Sequence, residues 1–139
     1  MKALLAALIL AAGPALAVLP GAGDDAQAME GARLLEGGRY ELSLPILRAA
    51  LERLPDDPDI LVYIAFAERR LGNPQGAMAA YEQALRHAPN HPGALAYQGS
   101  LFLAIGDRAR AEANLARLAA HCGTCPEHET LAREVARGR

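Results

Sequence analysis

A regular spacing of Gly and Pro along this chain constrains its fold more than any other feature. Gly38, Gly72 and Gly106 lie 34 residues apart, and Pro55 and Pro89 have the same separation. A fixed period of this length is typical of repeat proteins, in which each unit packs only against its neighbours. The sequence therefore predicts a stack of similar units and not a single closed core.

Helix start and stop signals divide each unit into two halves. Asp57-Pro58 is a typical helix start, with Asp as the N-cap and Pro at the first helical position. Gly72 ends that segment, where Gly adopts a left-handed backbone easily, and Asn73-Pro74 begins the next. The chain is 52% hydrophobic but only 4% aromatic and has no Trp, which argues against a large β-sandwich. We therefore expect an all-α fold of paired antiparallel helices.

The central unit carries the most specific pattern, which consists of Leu61, Ile64 and Ala65 followed by Ala77, Tyr81, Ala84 and Pro89. This pattern resembles the tetratricopeptide repeat (TPR) family, and the resemblance extends over about residues 24–123. It implies an α-solenoid of about three repeats, at 24–57, 58–91 and 92–123. Glu68 departs from the family pattern, which has a bulky residue there. In the first repeat, Pro45 falls inside the predicted second helix, where it should start or kink that helix.

The N-terminus has the features of a secretory signal peptide. Lys2 precedes an uncharged apolar run, and Ala15-Leu16-Ala17 provides an A-x-A cleavage site. The run is shorter than the ~20 apolar residues of a membrane span. We therefore predict a leader at 1–17, a linker at 18–23, and a periplasmic or secreted protein without a membrane span. A cut near Ala22 and an ordinary N-terminal helix are the alternatives.

The two Cys residues of the chain, Cys122 and Cys125, open a tail at 124–139 that we predict to form a turn and a capping helix over 126–137. Three interpretations of the pair remain open: a structural disulfide, a redox-active pair, and a metal site that also uses His121 and His128. Covalent haem attachment is excluded, because Pro126 stands where the C-x-x-C-H motif needs His.

Charge and motifs argue against several functional classes. Fourteen basic and sixteen acidic residues give a net charge of −2, which does not suit nucleic-acid binding. The sequence has no acid–base carboxylate pair, catalytic Ser constellation or Gly-rich phosphate loop. We therefore expect a protein that is not an enzyme, with no cofactor and no metal. The predicted function is protein–protein interaction in the cell envelope. The alternative is thiol–disulfide or metal handling through Cys122 and Cys125.

The TPR resemblance implies that ligands contact the first helix of each repeat on the concave face. Carried onto this chain, those positions are Leu35, Glu36, Asp59, Val62, Phe66, Arg69, Arg70, Ala96, Ser100 and Leu103. Val62, Phe66 and Leu103 would form an apolar strip beside two guanidinium groups. This combination suits a peptide or protein partner with apolar anchors and a carboxylate. The same face could instead be solvated or pack against a second copy of the chain.

Overall fold

The computed structural model describes residues 25–138, and within them the chain is helical with no strand. Its seven helices are α1 (Ala26–Glu36), α2 (Tyr40–Arg53), α3 (Pro58–Arg70), α4 (Pro74–His87), α5 (Pro92–Ala104), α6 (Arg108–Cys122) and α7 (Pro126–Ala136). The predicted leader and linker lie outside the described residues. No helix between residues 25 and 138 has the length and apolarity needed to cross a bilayer.

Local side-chain chemistry sets the helix boundaries. The Asp57 carboxylate accepts a hydrogen bond from the Ile60 N–H (3.1 Å), and Pro58 opens α3. Asn73 caps α4 in the same way through the Gly76 N–H (3.0 Å). Gly72 follows the end of α3 with φ +83°, a left-handed conformation that Gly adopts without a steric penalty. The predicted start and stop signals around α3 are thus confirmed.

The helices form pairs that stack in chain order. Within each pair, α1 packs on α2, α3 on α4 and α5 on α6, while α1, α3, α5 and α7 make the contacts between successive first helices. This is the predicted all-α solenoid of about three TPR-like repeats with a C-terminal capping helix, and the fold prediction is confirmed. The first helices lie side by side, so one face of the stack carries their exposed side chains.

Two apolar clusters hold the stack together. The first core cluster spans α1 to α5 and includes Leu47, Ile60 and Tyr81, which are fully buried. The second core cluster lies at the C-terminal end and includes Leu95, Phe102, Leu118, Leu131 and Val135. Leu131 and Val135 come from α7, so this helix closes the end of the third pair and shields its apolar surface from water.

Pro45 does not start a helix. It lies inside α2, which begins five residues earlier at Tyr40. Two interactions fix the earlier start: the Arg39 carbonyl accepts a hydrogen bond from the Ser43 N–H (2.9 Å), and the buried Ser43 hydroxyl donates to the Gly31 carbonyl (2.7 Å). Pro45 therefore falls inside the second helix of the first repeat, as predicted, and does not mark its start. Pro45 is exposed, so water can solvate the carbonyl that its missing N–H leaves free.

Glu68 is buried at the position where the family pattern has a bulky apolar residue. Its carboxylate accepts hydrogen bonds from Arg48 on α2 and from the Asn73 side-chain amide (2.8 Å). Asn73 in turn caps α4, so this group connects the first repeat to the turn between α3 and α4. The departure from the family pattern thus replaces an apolar contact with a set of hydrogen bonds.

Candidate functional site

A groove on the first-helix face has a volume of about 300 Å³ and lies across α1, α3 and α5. Its lining is mainly apolar and aromatic. The residues that form it are Ala32, Leu35, Glu36, Tyr40, Val62, Tyr63, Phe66 and Tyr97. All but Tyr40 come from first helices, and Tyr40 is the first residue of α2. We call this set the aromatic groove.

Three rings of the aromatic groove form a continuous row. The Phe66 ring centroid lies 6.3 Å from that of Tyr40 and 5.4 Å from that of Tyr97, the second pair meeting edge to face. Tyr63 is 36% exposed and Tyr97 is 41% exposed. Such half-exposed rings present a large apolar area that needs little reordering on binding, which is why aromatic residues are enriched at binding surfaces.

A cation lies at one end of the row. The Arg70 guanidinium lies over the Tyr40 ring, 5.2 Å from its centroid, in the geometry of a cation–π contact. Within residues 25–138, neither Arg70 nor its neighbour Arg69 forms an ion pair, in contrast to Arg48 and Arg53 on α2. The Arg70 charge is thus available to a ligand carboxylate without first breaking an ion pair with a described residue.

Acidic groups lie near the other ring, that of Tyr63. Burial raises the pKa of the Tyr63 hydroxyl, and the negative charges of Asp59 and Glu36 raise it further. Asp59 also bonds to the His91 ring nitrogen Nε2 (2.7 Å), while His91 Nδ1 accepts from the Ala94 N–H (3.1 Å) and caps α5. Because Nδ1 is an acceptor, Nε2 carries the proton in the neutral ring and donates a hydrogen bond to the Asp59 carboxylate.

The predicted contact residues fall into four groups. Leu35, Glu36, Val62 and Phe66 line the aromatic groove. Ala96 and Ser100 line a pocket between α5 and α7, and Arg69, Ser100 and Leu103 line another beside it. Asp59 and Arg70 line none of these three cavities, although Arg70 contacts the aromatic row. Val62 and Ala96 are only 4% and 5% exposed, so they offer a ligand little surface.

Sequence reasoning missed Tyr40, Tyr63 and Tyr97 in the groove, and Glu127, Thr130 and Glu134 of α7 in the neighbouring pocket. Signals for most of them exist. Tyr63 and Tyr97 are 34 residues apart, and so are Pro58, Pro92 and Pro126, which open α3, α5 and α7. The second series places α7 where the first helix of another repeat would begin.

The Cys pair lies at the junction of α6 and α7. The Sγ atoms of Cys122 and Cys125 lie 2.05 Å apart, at the distance of a disulfide, and both residues pack against the second core cluster. In the described part of the chain, no group of three or more His, Cys, Asp or Glu residues is arranged to hold a metal ion. Cys125 directly precedes the first residue of α7.

Comparisons with known proteins agree with this architecture. Residues 58–101 match the model of the tetratricopeptide repeat family. The fold is similar to the first TPR of Spaghetti (RPAP3) bound to the HSP90 peptide SRMEEVD, with a TM-score of 0.69 and 16% identity over 78% of this chain and 86% of that one. It is also similar to PcrH in complex with the chaperone binding region of PopD, with a TM-score of 0.67 and 20% identity over 80% and 84%. No curated protein matches the sequence.

Proposed function

We propose that the chain, whose residues 58–101 match the tetratricopeptide repeat family, is a non-enzymatic interaction module that binds a peptide segment of a partner protein on its concave face. The aromatic groove is the observation that carries this proposal. Its half-exposed rings form an apolar surface of a size that suits one or two large side chains, and the Arg70 guanidinium, which forms no ion pair with a described residue, lies over one of these rings.

The chemistry of the groove indicates the kind of segment. An apolar side chain gains free energy by leaving water for the apolar surface that Phe66 and Tyr97 form together. A carboxylate nearby on the same peptide would take hydrogen bonds from Arg70, since a guanidinium binds carboxylates through paired N–H groups. Both structures of similar fold hold a segment of another protein, an HSP90 peptide in one and a region of PopD in the other, and this analogy supports the proposal.

The test is a pair of matched double variants used as bait for a displayed library of random dodecapeptides. Phe66→Ala with Arg70→Glu should lose the peptides that the native protein selects. Ile105→Ala with Arg86→Glu makes the same kinds of change at an exposed apolar residue and in the last turn of α4, away from the groove. This control should select the same peptides as the native chain. Equal selection by both double variants would remove the groove from the proposal.

We also propose that the protein acts in the cell envelope, exported by a leader at residues 1–17. A cation, an apolar run and the A-x-A ending support this location. The full-length chain, expressed in a bacterium, should accumulate in the periplasmic fraction with a mass that begins at Val18. A cytoplasmic product of full mass would exclude export by this leader.

The Cys pair of the exported form is proposed to be a structural disulfide between Cys122 and Cys125. An oxidising compartment and the packing of both residues against the second core cluster support this role. Thiol counting on natively purified protein should find no free thiol, and mild reductant should leave the pair oxidised. A pair that cycles readily would favour the alternative thiol–disulfide function, and zinc that copurifies would favour metal handling.

A further inference from the structure

The helix α7 contributes side chains to the face formed by the first helices as well as closing the stack. It begins at Pro126, 34 residues after Pro92, and so takes the place of the first helix of a further repeat. Beside the contact between α5 and α7, residues of both helices line a pocket of about 150 Å³. The pocket is lined by Ala96, Tyr97, Ser100, Pro126, Glu127, Thr130 and Glu134. Tyr97 also lines the aromatic groove, so the two cavities share a wall and are contiguous.

The polar groups of this pocket are mainly acceptors. Glu127 and Glu134 are half-buried, and neither forms an ion pair with another described residue. The Ser100 hydroxyl donates a hydrogen bond to the Ala96 carbonyl (3.2 Å), so the lone pairs of the Ser100 oxygen remain free to accept one from a ligand. The Thr130 hydroxyl accepts a hydrogen bond from Arg133 (3.2 Å) and keeps its own proton as a donor. Two carboxylates, a hydroxyl acceptor and the Tyr97 ring together suit a cation.

Cations occur on the far side of the pocket. A neighbouring cavity of about 280 Å³ shares Ser100 and Glu134 and carries Arg69 and Arg137. These two residues do not approach the Glu134 carboxylate within ion-pair distance in the described structure. A ligand cation at Glu127 and Glu134 would therefore gain attractive contacts without breaking an ion pair of the described chain. A ligand carboxylate would instead be attracted to Arg69 and Arg137.

We propose that the pocket between α5 and α7 binds a Lys or Arg side chain of the same peptide whose apolar anchor occupies the aromatic groove. The inference rests on the proposed function, because the groove fixes the peptide and the pocket selects its next side chain. Because Tyr97 lines both cavities, the apolar anchor and the basic residue would both lie next to this residue. The preferred partner is then a segment that carries a basic residue near a large apolar one.

The test compares peptides selected from a random dodecapeptide library by three versions of the full chain. The native chain should select sequences with a large apolar residue and a Lys or Arg at a fixed spacing. Glu127→Gln combined with Glu134→Gln should still select the apolar residue but lose the basic one. Glu129→Gln is the matched control, because Glu129 lies on the same helix, is 58% exposed and faces Arg133. It should select as the native chain does.

A direct measurement completes the test. For a synthetic peptide chosen by the native chain, the double Gln variant should bind about tenfold more weakly at low salt, the loss of about one charge-assisted hydrogen bond. Thermal unfolding of each variant should show that α7 remains folded. An unchanged basic preference in the double variant overturns this inference alone. Selection without an apolar anchor by the native chain overturns both the proposed function and this inference.

Discussion

Two buried hydroxyl groups have opposite hydrogen-bonding environments. The Ser43 hydroxyl donates to the Gly31 carbonyl at 2.7 Å and so joins α2 to α1. The Tyr81 hydroxyl is buried in the first core cluster and has no hydrogen-bond partner among the described residues. Burial strongly raises the pKa of Tyr81, which keeps the phenol neutral. A buried hydroxyl without a partner lowers stability, because it has lost its hydrogen bonds to water.

Replacing the two hydroxyl groups should therefore have different effects on stability. Tyr81→Phe removes an oxygen that bonds to nothing described, and we expect a free energy of unfolding unchanged or raised by up to about 1 kcal/mol. Ser43→Ala removes the hydrogen bond to the Gly31 carbonyl and should lower that free energy by about 0.5–1.5 kcal/mol. Urea unfolding followed by circular dichroism measures both. An equal loss of stability in the two variants would contradict this account of Tyr81.

Residue-level sequence reasoning succeeds where the determining contacts are local. Asp57 and Asn73 cap N–H groups three residues ahead of them, so their neighbours in sequence were enough to predict them. The sequence showed Glu68 only as a departure from the family pattern. Its hydrogen bond to Arg48 could not be predicted, because Arg48 lies 20 residues away on another helix. Tyr40 was missed for the same reason, because it belongs to a second helix and its contact with Phe66 joins two different repeats.

At the scale of helices, Gly99 determines how closely α7 approaches α5. A Cβ atom at position 99 would lie 2.6 Å from a methyl carbon of Leu131, closer than real atoms approach. Leu131 is fully buried, so its side chain has little room to move. The same relation holds at Gly31, where a Cβ atom would lie 2.5 Å from Leu47 of α2. The absence of a side chain at Gly31 and Gly99 thus allows close packing between helices.

A double-mutant cycle tests this packing. Ala is a better helix former than Gly by about 1 kcal/mol, and overpacking costs about 1–3 kcal/mol, so Gly99→Ala should lower stability by up to about 2 kcal/mol. Leu131→Ala removes the obstructing methyl groups. In that background, Gly99→Ala should be neutral or stabilising by up to about 1 kcal/mol, as seen in urea unfolding. If the change at position 99 has the same effect in both backgrounds, the two residues are not in packing contact.

Helix boundaries show what the sequence can and cannot predict at this scale. The starts of α3 and α4 follow from Asp-Pro and Asn-Pro pairs, whose capping chemistry is local. The start of α2 has no such pair, because Arg39 makes no side-chain cap and Pro45 lies inside the helix. The buried bond from Ser43 to Gly31 spans 12 residues, and only tertiary structure reveals it.

For the molecule as a whole, the period predicted the fold because each helix contacts only near neighbours in the stack. The site was harder to predict, since a groove depends on which side chains neighbouring helices bring together. Phe66 was predicted from the TPR resemblance, yet its ring partners Tyr40 and Tyr97 come from different repeats. Such an arrangement also implies that stability is local, with the two core clusters supporting different parts of the stack.

Hydrogen exchange on two core variants tests whether the clusters are independent. Leu131→Ala should cost about 2–5 kcal/mol through the cavity that it leaves, and we expect faster amide exchange confined to α5, α6 and α7. Leu47→Ala is the matched change in the first core cluster and should speed exchange in α1, α2 and α3 while α6 and α7 stay protected. Uniform acceleration by either variant would mean that the described chain unfolds as one unit. If each variant speeds exchange only in its own set of helices, the aromatic groove depends mainly on the first core cluster and the pocket between α5 and α7 depends on the second. Loosening α7 should then weaken selection of the basic residue before it weakens selection of the apolar anchor.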